Sequence, residues 1–152
     1  MWNISAMKRL KIEQEVDKII SCKENKRVLF FNCNSRVFCK IHLDDKTNNQ
    51  ILNNIPRCDY IIVSKDLEDI ALFIELKGSN TNHALEQIEQ SINTFGKCIN
   101  KKYAAIVCSK IYPKFNSRTQ QFIKKNNTQL FIKEKQLELE YDSNNQSISK
   151  IS

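Results

Sequence analysis

The chain has 152 residues, a formal charge of +7, 41% hydrophobic residues and 27% charged residues. That length suits a single domain, which buries roughly 68–70% of its unfolded surface and builds a core without staples. With two glycines and no GxxxxGK or GxGxxG loop, phosphate-cradling loops are nearly excluded, and no GxSxG elbow marks a serine hydrolase.

Ser5 to Ser21 reads as a helix, with Ile12, Val16, Ile19 and Ile20 as an apolar stripe and Ser5 as its cap. Lys26–Cys33 and Arg36–Leu43 read as strands, joined into a hairpin by a tight turn at Asn34-Ser35. Asp44 to Arg57 is polar and Asn-rich, hence a loop, with room for a helical turn at Asn49–Asn53. Two further strands run from Asp59 to Lys77 around a polar turn near Asp66–Glu68. Gly78-Ser79-Asn80 breaks that pattern, and Asn80 or Thr81 caps a helix over Asn82–Phe95 whose apolar residues are Ala84, Leu85, Ile88, Ile92 and Phe95.

Tyr103–Ser109 is almost wholly apolar, as a buried strand is, and its place after strand and helix predicts a parallel pair with a crossover. A short basic helix at Ser117–Asn126 and strands at Gln129–Lys133 and Gln136–Tyr141 follow. The expected fold is α/β, an α+β mixed sheet with helices on its faces. Residues 1–141 form one domain and 142–152 a frayed tail.

Six cysteines show neither CxxC pairs nor zinc-ligand spacing. Four of them fall in apolar runs, where a free cysteine behaves as a small hydrophobe. Lys8, Arg9 and Lys11 interrupt any leader-like segment, and no 18-residue apolar run occurs. A reduced, cytoplasmic protein without signal peptide or membrane span is the expectation. Charge is uneven: Lys97 to Lys135 holds ten basic residues against Glu134 alone. Such a segment suits a bound polyanion, and a solvated, solubilising surface is the alternative.

The segment RCDYIIVSKDLEDIALFIELK carries the chemistry. Pairing across its turn sets Asp59 opposite Glu75 or Lys77, with facing Cβ atoms roughly 4.5–5.5 Å apart. Glu75 and Lys77, two apart, share a strand face. Two carboxylates and an ammonium at one end of an apolar hairpin carry desolvation and repulsion penalties that a divalent metal would relieve. A surface ion pair at a strand end is the competing reading. On the following helix, His83, Gln87, Gln90 and Thr94 share a second, polar stripe, with Gln87 nearest the buried face.

The pattern Asp59…Glu75-Leu76-Lys77, with its FIELK approach and the amphipathic helix after it, resembles the PD-(D/E)XK nuclease superfamily. The element order is close to that family's restriction-endonuclease-like αβββαβ core over Ser5 to Ser109, with one strand more. An additional helix and strands follow at the C-terminal end. Cys58 stands where the family has proline before the first acid.

The resemblance implies a metal-dependent nuclease acting on DNA more than RNA. Asp59, Glu75 and the Leu76 carbonyl would hold Mg²⁺ (or Mn²⁺), and Lys77 would orient or deprotonate the attacking water. It further implies an acid from the first helix, Glu13 ahead of Glu15, and a participating Gln87. The basic segment, through Lys97, Lys101, Lys102, Lys110, Lys114 and Arg118, would track phosphates, and a homodimer or partner subunit would cut the second strand. A binding or assembly subunit that keeps the fold without cleavage is the alternative.

Overall fold

A computed structural model of the chain describes residues 7–77, 80–110 and 117–151, with the Lys77 side chain outside the description. The fold is mixed α/β: ten strands in two mixed sheets, with three helices, among the described residues. In chain order the elements are β1 (Gln14–Val16), β2 (Ile19–Glu24), β3 (Arg27–Asn32), β4 (Phe38–His42), α1 (Lys46–Leu52), β5 (Tyr60–Ser64) and β6 (Ile70–Lys77). Then come α2 (Thr81–Phe95), β7 (Lys101–Cys108), α3 (Ser117–Asn126), β8 (Gln129–Glu134), β9 (Gln136–Asp142) and β10 (Ser147–Lys150).

The larger sheet has the order β1-β4-β5-β6-β7-β8 and the smaller β10-β9-β3-β2. Strands β4, β5 and β6 form an antiparallel meander, and β7 and β8 continue it in parallel. Parallel neighbours need crossovers, and α2 and α3 supply them. β5 and β6 are buried on both faces, so alternate residues feed two cores. Ile61, Val63, Ala71 and Phe73 pack beneath α2 with Ala84, Leu85 and Ile88. Ile62, Leu72, Ile74 and Leu76 pack against the smaller sheet through Ile20, Leu29, Phe31 and Leu139. The result is three layers: helices, large sheet, small sheet.

Local chemistry accounts for the joints. In the β5–β6 turn, Asp66 Oδ1 accepts from Ser64 Oγ at 2.8 Å and from the Glu68 N–H at 2.9 Å. That turn sets the register Tyr60↔Ile74, as the sequence predicts. Asn80 caps α2 by accepting from the His83 N–H at 3.0 Å. No helix among the described residues is long and apolar enough to cross a membrane.

Three expectations are corrected. The helix predicted over Ser5–Ser21 is not formed within its described part beyond Met7-Lys8; β1 and the first half of β2 occupy the stretch instead. Ile12 and Ile19 are exposed at 38% and 61% while Ile20 and Cys22 are buried, an alternation of period two that belongs to a strand. Next, β3 and β4 do not pair as a hairpin. Asn34 and Ser35, at φ 49° and 73°, turn the chain from one sheet to the other, and Phe31 meets Phe38 edge-on across the layer at 4.9 Å. Last, β10 pairs with β9 within the stretch expected to fray, and Ile148 is buried.

Candidate active site

Asp59 precedes β5, and its backbone already belongs to the sheet: its N–H donates to Ile74 O at 3.0 Å and its carbonyl accepts from the Leu43 N–H at 2.9 Å. The ladder ends at Tyr60↔Ile74, and with its N–H on Ile74 O, Asp59 lies beside the last residues of β6. Glu75 leaves β6 toward the helix layer, on the parity of Phe73, while the chain bends at Asp59, between Cys58 in the helix-side core and Tyr60 in the small-sheet core. Asp59 Oδ2 accepts from the Leu76 N–H at 2.7 Å, a charge-assisted bond that fixes the carboxylate against β6. Residues of a strand send N–H and C=O to the same side. The Leu76 carbonyl is therefore directed toward the Asp59 side.

Burial is the distinguishing property of the pair. Glu75 has no exposed surface and Asp59 only 6%. Asp and Glu are almost never fully buried without compensation. Their negative charge reaches Cys58, whose thiol is raised far above its usual range, first by burial and further by Glu75 and Asp59. Cys58 is thus a protonated packing residue. Its N–H donates to Ser91 Oγ at 2.8 Å, which ties α2 to the strand that carries Asp59.

Gln87 lies one turn before Ser91 on the same stripe of α2, over the end of the sheet where Asp59 and Glu75 sit. It is half-buried, and Gln87 Oε1 is shielded with no hydrogen-bond donor among the described residues. His83 and Gln90 are exposed. With Pro56 and Gln87 they line a groove of about 300 Å³ on the flank of α2.

The other predicted site residues are scattered. Glu13 is not helical and is removed from the pair: its N–H donates to Lys40 O, and its carboxylate reaches Lys40 Nζ at 3.3 Å. Lys40 lies over the Tyr60 ring at 5.3 Å, on the face turned toward the small sheet, opposite to Glu75. Glu15, in β1, pairs in register with Cys39 and lies three strands away from β6. Among the described residues no group of three or more His, Cys, Asp and Glu converges as a ligand set.

Lys101 and Lys102 pair with Ile70 and Ala71 at the start of β6, roughly 17 Å along the strand from Glu75. Lys97 follows α2 at that same remote end. Lys110 follows β7 at the Glu75 end. Arg118 lines a cleft of about 600 Å³ between α2 and α3 with Glu89, Phe122 and Lys125. Lys114 and the Lys77 side chain lie outside the described residues and atoms.

Sequence reasoning missed Arg27, which reaches from the small sheet to the end of β7, where its Nη1 donates to Ser109 Oγ at 3.0 Å. No local pattern flags this contact, because it joins residues 82 positions apart. Searches against family models, curated proteins and solved structures found no match.

Proposed function

We propose that the chain is a metal-dependent nuclease of the PD-(D/E)XK kind, acting on DNA. The observation that carries the reading is two buried carboxylates at one end of the β5–β6 ladder, Glu75 in β6 and Asp59 bonded to the next residue's N–H, that of Leu76. They lie where β6 and β7 end, and the ends of parallel strands are where open α/β sheets take their ligands. The order of the meander β4–β5–β6, the crossover α2 and the parallel β7 supports it as well, since that is the family's βββαβ sequence.

The donor set fits a hard divalent cation. Two carboxylate groups and a backbone carbonyl are oxygen ligands, and Mg²⁺ is commonly held by one or two carboxylates with water completing the shell. Asp59, Glu75 and the Leu76 carbonyl would hold it. When bound, such an ion supplies charge stabilisation at phosphorus and lowers the pKa of water. The Leu76 N–H keeps Asp59 turned to its place, and α2 excludes water above the pair. Lys77, two residues beyond Glu75, is assigned the orientation and deprotonation of the attacking water. Gln87, whose shielded Oε1 lacks a donor among the described residues, is assigned to hold that water through a hydrogen bond.

The displaced position of Glu13 favours one second reading, a DNA-binding subunit that keeps the architecture without cleavage. Incubation of the protein with duplex, single-stranded and branched DNA and with RNA, in Mg²⁺, Mn²⁺ or EDTA, separates the two. The nuclease reading predicts metal-dependent products that Lys77→Ala and Glu75→Gln each reduce by about 10²-fold or more. Binding without metal-dependent products contradicts it and leaves the second reading.

A further inference from the structure

The three layers meet at the edge where Glu75 lies, and cations from remote parts of the sequence collect there. The β2–β3 hairpin closes at Glu24↔Arg27, so Lys26 stands at its tip. One residue, Lys135 at φ 64°, links β8 of the large sheet to β9 of the small one. Its N–H donates to Cys108 O at 2.9 Å, and its carbonyl accepts from the Val28 N–H at 2.9 Å. Cys108 is the register partner of Lys77. The Arg27–Ser109 bond fastens the hairpin to the same strand end, one residue before Lys110. Lys26, Lys110 and Lys135 are exposed and Arg27 is half-buried, while Glu24 and Glu134 are the acids of this rim.

We propose that this rim, through Lys26, Arg27, Lys110 and Lys135, is the track for the phosphate backbone of DNA. The proposal rests on the nuclease reading and assigns its substrate path. Phosphate contacts set the position and register of a bound nucleic acid, so they are useful only where they deliver the backbone to the carboxylate pair. The rim does so, one strand away from β6 at the same end. The remote lysines do not, and Lys101 is engaged elsewhere, with its Nζ donating to Gln146 O at 2.7 Å. Arg27 is held by Ser109, which spares part of the ordering cost of a long side chain when a phosphate binds.

The test is fluorescence anisotropy of a labelled DNA duplex with the metal-free protein in EDTA, across a range of salt. Lys26→Gln/Lys135→Gln and Arg27→Gln/Lys110→Gln are compared with Lys101→Gln/Lys102→Gln. Each rim double should weaken binding and reduce the slope of log K against log salt by about 2, one for each contact removed. The remote double should match the parent. Because Lys26 and Lys135 are exposed, their removal leaves the fold intact even if loss of the Arg27–Ser109 bond does not. A parent that binds while the rim doubles keep its slope, or a loss confined to the remote double, overturns the track alone. A parent without salt-sensitive DNA binding overturns the nuclease reading along with it.

Discussion

Asp59 serves two structural masters at once. Its backbone completes the β5–β6 ladder, and its carboxylate caps the Leu76 N–H at 2.7 Å. Substitution by asparagine keeps an acceptor oxygen for that bond and removes the charge, so it separates chemistry from folding. A second aspartate shows how a single ion pair sets pH dependence. Asp69 is held below the usual carboxylate range, chiefly by the hydrogen bond from Arg36, at 2.8 Å.

A depressed folded pKa stabilises above the unfolded value, about 3.9, and that stability disappears as pH falls through the folded pKa. Asp69→Asn should therefore lower the denaturant midpoint at pH 7, with the gap to wild type closing at pH 2–3. An equal gap at both pH values would remove the ion pair from the account.

At the scale of elements, the β5–β6 hairpin, α2, α3 and β7 were legible, because each carries its own local pattern. IALFI in β6 is an unbroken apolar run, α2 repeats at three and four, and YAAIVC is apolar throughout, as a strand covered on both faces must be. The N-terminal stretch was not legible for a physical reason. Ile12, Val16, Ile19 and Ile20 match a helical spacing by coincidence, and only the position of the small sheet decides that Ile20 faces inward and Ile19 outward.

Sheet membership was hidden likewise: nothing local says that the chain changes sheets at Asn34-Ser35. The approach of Asp59 to the end of β6 was legible through the β5–β6 hairpin, whereas Arg27 and Lys135 reach the same edge only through long-range pairing. β10 gives an element-scale prediction. Ile148 is 2% exposed and packs between the sheets, so Ile148→Ala should destabilise by about 2–5 kcal/mol in urea unfolding. A value near zero would return the segment to a frayed tail.

For the whole molecule, the three-layer arrangement places five cysteines, Cys22, Cys33, Cys39, Cys58 and Cys108, inside and Cys98 outside. Burial raises the thiols of Cys22 and Cys33 to about 12, which leaves them protonated at neutral pH. Brief treatment of the native protein with a thiol-alkylating reagent should modify Cys98 alone, and unfolding should release the other five. Mass spectrometry with peptide mapping reads both numbers. Rapid labelling of Cys22 or Cys58 in the native state would mean that a layer opens readily.

The same layering shields Asp59 and Glu75 at a sheet edge, and their capacity to hold a divalent cation is the central claim. Mn²⁺ titration followed by electron paramagnetic resonance tests it most directly, with the wild-type protein beside Asp59→Asn and Glu75→Gln. The account predicts saturable binding by the wild type, lost in both variants while their unfolding transitions remain cooperative. Binding of equal strength in all three proteins, or none in the wild type, would contradict it.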